Sequence, residues 1–362
     1  MTVQWQPAAL DLTGVDRAIV SGIVRLPAGG YLAWGHGQSD ALEGADVGEL
    51  YWRSDDGRVW ERTAASGPAR LSAADSSPLG IVAIAGGEAW WSEDGNRWTR
   101  GHLESPGGEP DLWDVAVGEE AAVVVGSGGA WISRDGLRWQ PVTGERMDIS
   151  RVHAVDVTRQ GFIAVGEEWT GGGYEAHAWR ISPDGGAWQR DPGGDLTGRS
   201  YDTLAHVWGV GDSALAVGTR GEVETSGSAS GCTAATAATS GASKRPIAPS
   251  PGVPGSGPIA WKPKLAKAPR LGFAPGGPAI ASWRDGLVAI GLDGASPLAL
   301  HASTDGLRWD RSRPLEQLPD LGHGFITTFI VDGDTAIVSG TIEPPGDQSV
   351  QDYFLQVGTI TP

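Results

Sequence analysis

The segment Glu167-Glu168-Trp169-Thr170-Gly171-Gly172-Gly173-Tyr174-Glu175 gathers carboxylates, an indole and a phenol around a glycine run. An exposed Trp and Tyr can stack on a sugar ring while neighbouring carboxylates hydrogen-bond its hydroxyls. Glu167, Glu168, Trp169 and Tyr174 are therefore candidate ligand-binding residues; the plainer reading is a flexible glycine loop whose Trp covers its neighbours. A second chemical concentration is basic. All four lysines, Lys244, Lys262, Lys264 and Lys267, fall in one stretch with Arg245 and Arg270, and no acidic residue lies between 244 and 270. Such a patch can dock an anionic partner; the plainer reading is a solvated linker edge. Cys232, the single cysteine, has no base nearby in sequence and reads as an exposed thiol. There is no phosphate-cradling glycine loop, no His-Glu-x-x-His and no serine nucleophile elbow.

The elements that position these residues follow from composition. The 362 residues include 56 Gly and 24 Pro, and Trp supplies 17 aromatics where Tyr and Phe supply 5 each. So much turn chemistry beside so many indoles calls for a repeat. With 44 acidic against 27 basic residues, the net charge of −17 argues against a nucleic-acid partner, because phosphate contacts need a basic face. No apolar run is long enough for a transmembrane helix. One cysteine excludes an internal disulfide framework and the cysteine-rich zinc sites. The N-terminal residues lack the pattern of a signal peptide, so a cytoplasmic location is expected, with export open if a leader was removed.

One phrase recurs. It reads Ser54-Asp55-Asp56-Gly57-Arg58-Val59-Trp60, then Ser92 to Trp98 around Asp94, and Ser133 to Trp139 around Asp135. It returns as Ser182 to Trp188 around Asp184 and Ser303 to Trp309 around Asp305. The shared pattern is S-x-D-G-x-x-W. Asp-Gly is tight-turn chemistry: the carboxylate accepts local N–H groups and Gly takes positive φ. The Ser hydroxyl can bond across the same turn for about 1 kcal/mol, and the Trp opens the next strand. Asp56, Asp94, Asp135, Asp184 and Asp305 are accordingly read as structural rather than catalytic.

This phrase resembles the Asp-box, or BNR, repeat of sialidase-like β-propellers, in a version one residue shorter than usual. The resemblance implies an all-β fold of four-stranded antiparallel blades. Around the third phrase, Trp113–Val117, Ala121–Gly126, Gly129–Ser133 and Trp139–Val142 read as the four strands of one blade. Second strands recur at seven places, and Trp5, Trp60, Trp98, Trp139, Trp188, Trp261 and Trp309 give one mark per blade. The expectation is one seven-bladed β-propeller domain over 1–362, with residues 2–7 joining the last blade to close the ring. In the fifth blade Gly221–Ser226 aligns with the third strand, and 227–257 reads as a low-complexity, disordered insertion.

Sialidases carry an acid/base Asp after the second strand of the first blade, and Asp46 is the nearest match. Arg17 stands roughly where their substrate-carboxylate arginine would be, but the Arg-Ile-Pro phrase is missing. The ring also implies that His153, His206 and His323, with Asp16 and Asp114, stand at or near inner-strand starts. There they would form a polar collar around a channel; a divalent cation is the less economical reading, and no metal or cofactor is expected. The leading expectation is a monomeric, non-catalytic scaffold that recognises a glycan or protein ligand through its top-face loops. The alternatives are a sialidase-like glycoside hydrolase using Asp46 and Arg17, and an assembly factor for a protein complex.

Overall fold

The structure is a computed structural model describing residues 1–39, 45–63, 67–104, 110–143, 150–169, 173–183, 188–190, 203–219, 235–242, 259–262, 279–292, 298–304, 306, 309–315, 317–321, 324–343 and 352–361. Among these residues every regular element is a strand, and no helix is long and apolar enough to cross a membrane. The chain opens with β1 (Thr2–Pro7) and β2 (Ala9–Leu10), then β3 (Arg17–Arg25), β4 (Tyr31–Ser39), β5 (Ala45–Ser54) and β6 (Val59–Arg62). Next come β7 (Leu71–Ser77), β8 (Gly80–Ala85), β9 (Glu88–Ser92), β10 (Thr99–Arg100) and β11 (His102–Leu103). They are followed by β12 (Leu112–Val117), β13 (Ala122–Gly126), β14 (Gly129–Ser133) and β15 (Arg138–Pro141). The next group is β16 (Ser150–Thr158), β17 (Gly161–Trp169), β18 (Tyr174–Ile181) and β19 (Gln189–Arg190). After it run β20 (Thr203–Val210), β21 (Ser213–Thr219), β22 (Ala235–Ala242) and β23 (Ile259–Lys262). The last are β24 (Ala279–Trp283), β25 (Gly286–Leu292), β26 (Leu298–Ser303), β27 (Asp310–Pro314), β28 (Ile326–Asp332), β29 (Thr335–Ile342) and β30 (Asp352–Thr361).

These strands pair into small sheets, each built on sequential antiparallel neighbours, in a β-propeller arrangement. The innermost strands β3, β7, β12, β16, β20, β24 and β28 each pack against the next, and β28 returns to β3. β1 pairs with β30 from Thr2↔Thr361 to Pro7↔Gln356, so a sheet is completed from both ends of the sequence. Two sheets depart from four antiparallel strands. β2 adds to β6, and β11 to β15, as a short fifth strand in parallel register. In both cases the chain leaving one sheet's outer strand catches the outer strand of the next. The sheet of β20–β23 takes its third strand from Ala235–Ala242, inside the stretch expected to be a disordered insertion, and Gly221–Ser226 lies outside the described residues.

The core lies between sheets. Trp139 packs with Val82, Ile84 and Val124, and Trp60 with Ile337, Leu355 and Val357. Trp5 joins a cluster containing Val288, Leu300 and Val338. Middle strands are enclosed on both faces, which is why β8 reads as an unbroken apolar run and all six of its residues are buried. In several sheets the first strand crosses close over the end of the second. A Cβ at Gly35 would lie 1.8 Å from the Ile19 carbonyl oxygen, and one at Gly126 would lie 2.0 Å from that of Asp111. Only glycine admits this approach, and beside it the first strand bulges.

Candidate functional site

Two of the bulges shape the site. Pairing of β12 with β13 skips Trp113, and pairing of β16 with β17 skips His153. A bulge re-aims its extra residue, and here the two side chains meet. The Trp113 and His153 rings stack at 5.1 Å between centroids with 11° between planes. Trp113 Nε1 donates to Asp111 Oδ2 at 3.0 Å, which fixes the indole from its other edge. One sheet further on, His206 stacks on Trp208 at 5.9 Å. Burial lowers the affinity of His153 for a proton, against the pull of Glu167. Burial also lowers that of His206, helped by repulsion from His153. Both rings are therefore held towards the neutral form.

The β17–β18 hairpin supplies the outer half of the site. The segment read as a glycine loop is mostly strand: Glu167 lies opposite Ala176, and Trp169 opposite Tyr174. Residues 170–172 lie outside the described residues. Glu167 also lies opposite Arg151 across β16–β17, so Arg151, Glu167, Trp169 and Tyr174 share one face. The Arg151 guanidinium sits 4.6 Å above the Tyr174 ring and 3.5 Å from Glu167 Oε1. His153 Nε2 approaches the same oxygen at 3.7 Å. Trp169 meets Tyr174 edge to face at 5.1 Å and remains 46% exposed. The result is a continuous arc of Trp113, His153, Glu167, Arg151, Tyr174 and Trp169, aromatic on both flanks and charged in the middle.

Glu168 faces the other way. It is buried, with His177 Nε2 at 3.6 Å and Arg190 Nη1 at 3.8 Å. Asp114, expected near the channel axis, lies next to Trp113, where its carboxylate accepts the Val155 N–H at 3.0 Å. His323 lies outside the described residues. Among those residues no three His, Cys, Asp or Glu side chains gather as a metal cluster.

Arg17 and Asp46 are placed by register. Arg17 pairs with Gln38, and Gln38 pairs with Asp46, which puts the two a strand apart in one row. Asp46 belongs to β5 rather than to the expected loop, because the β4–β5 hairpin extends to Ser39 and Ala45. Arg17 acts electrostatically on Tyr353. Asp184 and Asp305, together with Lys244, Arg245, Lys264, Lys267, Arg270 and Cys232, lie outside the described residues.

On the opposite face three of the repeated turns share one hydroxyl bond, while at the third phrase Ser133 Oγ instead donates to Asp135 Oδ1 at 3.0 Å. The hydroxyl oxygens of Ser54, Ser92 and Ser303 each accept the N–H of Gly57, Gly95 and Gly306 at 2.8 Å. Asp56 and Asp94 accept the N–H two residues on at 2.8 Å, and those bonds hold both carboxyls below the usual range. The indoles of Trp60 and Trp139 donate back to the carbonyls of Gly57 and Gly136 at 2.8 and 3.1 Å. Each turn also seats on the preceding sheet: Gly57 faces Ile337, Gly95 faces Leu32, and Gly136 faces Trp91.

Sequence reasoning missed Arg151 and Trp113 as members of the arc. The available signal was their offset from neighbours already singled out, since Arg151 stands two residues before His153 and Trp113 directly precedes Asp114. A strand bulge, which makes that offset meaningful, has no mark of its own in one sequence.

No family model matches this chain, and no curated protein matches it. Among solved structures, one described as "YCF48 bound to D1 peptide" is similar over 99% of this chain and 97% of that chain, with a TM-score of 0.56 and 14% identity. The extracellular domain of a hybrid two-component system from B. thetaiotaomicron is similar over 98% of this chain, with a TM-score of 0.51 and 11% identity. This chain covers 40% of that one. At these identities the likeness is one of fold, and the fold is the β-propeller.

Proposed function

We propose that this chain is a seven-bladed propeller of the Asp-box kind that works as a non-catalytic binding scaffold. Its ligand surface is the arc from Trp113 to Trp169, and its ligand is a peptide segment of a partner protein. The observation that carries this reading is Trp169: a large, exposed indole held edge-on by Tyr174, beside a guanidinium already stacked on that Tyr. Pre-set aromatic anchors next to Arg are what binding hot spots are made of. A fold neighbour is itself described as bound to a peptide. The repeated Ser-x-Asp-Gly turns, on the opposite face, serve as the frame.

The test is to probe immobilised peptide and glycan panels with the full chain and with Trp169→Ala. Peptide capture that Trp169→Ala weakens by about 30-fold or more, as expected of a hot spot, supports the proposal. Equal capture by both proteins overturns the site, and capture confined to glycans overturns the ligand class.

A further inference from the structure

Two described residues other than glycine carry a positive φ, Arg70 at 62° and Arg284 at 53°. That conformation is costly for a long side chain, and at Arg284 the reason for it is visible. Arg284 takes the first turn position of the β24–β25 hairpin, where Gly211 and Gly333 stand in β20–β21 and β28–β29, each at φ 58°. Its guanidinium stacks on Trp283 at 4.6 Å and pairs with Asp334 at 3.1 Å. Contacts within the chain offset the strain there.

Arg70 has no such compensation. It is exposed, and among the described residues its side chain makes no hydrogen bond, ion pair or ring contact. Nor does the sheet demand its conformation. Arg70 precedes β7, and its carbonyl accepts the Gly86 N–H at 3.3 Å. Asp111 before β12 and Phe325 before β28 make the same link, to Ser127 and Thr341 at 3.0 and 2.8 Å, without a positive φ. The backbone at Arg70 is nonetheless pinned on both sides. Glu49 Oε1 accepts the Leu71 N–H at 3.0 Å, and the Tyr51 hydroxyl donates to the Pro68 carbonyl at 2.8 Å. Strain maintained by its surroundings and unused by the fold points to a ligand.

Arg70 also continues the arc. Gly86 and Gly87 form the tip of the β8–β9 hairpin, and a Cβ at Gly87 would stand 3.7 Å from Asp111 Oδ1, the carboxylate that fixes Trp113. Pairing of β13 with β14 ends at Gly126↔Gly129, whereas β17–β18 continues three pairs past the equivalent Gly166, to Trp169↔Tyr174. A Cβ at Gly86 or Gly128 would meet nothing within 4 Å. Low glycine tips thus lead from the raised β17–β18 hairpin to Arg70.

We propose that Arg70 is the far anchor of the peptide site, and that the peptide it takes carries an acidic side chain, Asp or Glu, beyond the part seated on Trp169. This rests on the peptide-scaffold reading above. The N–H groups of Leu71 and Gly86 are already taken. Recognition therefore falls to the guanidinium and not to a nest of N–H groups of the kind that captures a chain terminus. A side-chain carboxylate, held by forked charge-assisted bonds, matches it. Fixing the backbone in advance lowers the ordering cost of binding.

The test is an immobilised array of short synthetic peptides, each acidic sequence paired with its Asn or Gln counterpart and made with free and amidated C-termini. It is probed with the full chain, Arg70→Gln and Trp169→Ala. Among peptides whose capture depends on Trp169, the acidic member of a pair should be held about tenfold more tightly. Arg70→Gln should erase that preference, and amidation should leave it intact. Trp169-dependent capture without an acidic preference, or with one that survives Arg70→Gln, overturns the inference and leaves the scaffold reading standing. A preference lost on amidation overturns the side-chain assignment in favour of a terminus. Capture independent of Trp169, or none at all, overturns the scaffold reading and this inference with it. Arg70→Gly gives a readout that needs no ligand: relief of the strained φ should raise the melting temperature by about 1–2 °C. A lower melting temperature would make Arg70 a structural residue and overturn its role as an anchor.

Discussion

Trp5 lies directly opposite Gly358, and its indole fills the space a side chain at 358 would need, with a ring carbon 2.8 Å from where the Cβ would stand. The Trp5 N–H is taken by Gln317 Oε1 at 2.6 Å, which anchors the same strand from a third direction. Deleting residues 1–7 therefore removes a buried Trp and a whole sheet edge. The loss should be at least about 3 kcal/mol, by analogy with Trp→Ala truncations in cores. Thermal melts of the truncated and full chains check it, and coincident melts would mean the ring closes without β1.

Gly136 carries two demands at once. Its φ of 69° favours glycine, and an added Cβ would stand 2.0 Å from the Trp91 ring of the preceding sheet. Gly29 shares the positive φ, at 98°, but has nothing within 4 Å. Gly29→Ala should lose about 1 kcal/mol from backbone strain alone, and Gly136→Ala clearly more, because Trp91 must move. Urea titrations of the two variants separate the terms.

Stability should peak in mildly acidic solution. Asp75, Asp114 and Asp156 have raised folded-state pKa values, so their contribution is full below the unfolded carboxylate range and is lost as pH rises through about 6 to 7. Asp56 and Asp94 are shifted the other way, and what they contribute disappears as pH falls below that same range. Melting temperature followed from pH 3 to 9 should rise and then decline, with its maximum below neutrality. A maximum above pH 8 would contradict the upward shift of Asp75, Asp114 and Asp156.

The hydrolase alternative makes its own demand on Asp46 and Arg17. A panel of fluorogenic sialosides should give no turnover attributable to this chain. Turnover abolished by Asp46→Ala would replace the scaffold reading and move the site to β3–β5.

Removing residues 227–257 would take away β22, the strand that pairs with β21 from Leu215↔Thr239 to Thr219↔Ala235. The deletion should therefore unfold the sheet of β20–β23, seen as a smaller denaturant slope and lost protection of β21. An unchanged slope would show that the sheet completes itself from another segment.

Much of this was legible because the turn phrase states its own geometry. Ser, Asp, Gly and Trp each have one strongly preferred task in a tight hairpin, and four such marks locate strands on both sides of it. The closing strand was legible because Trp5-Gln6-Pro7 repeats Trp139-Gln140-Pro141. What escaped was structure made by contacts between sheets. β2 and β11 are two residues each and too short to show a period. Ala235–Ala242 is small and polar, so composition marks it as disordered, whereas hydrogen bonding to β21 and β23 makes it a strand. The arc of the site depends on two bulges, and Trp113 and His153 are 40 positions apart with nothing in either local sequence to announce the stack.

The pairing of Thr2 with Thr361 has a consequence for biosynthesis. β1 leaves the ribosome ahead of β30, and Thr2 must wait for Thr361, 359 positions later. At about 5 to 20 residues per second, that is a delay of tens of seconds. Throughout it, β1 presents an open edge and an uncovered indole, the kind of segment that pairs with the wrong neighbour. Shielding of β1 is therefore needed for as long as β30 is unmade.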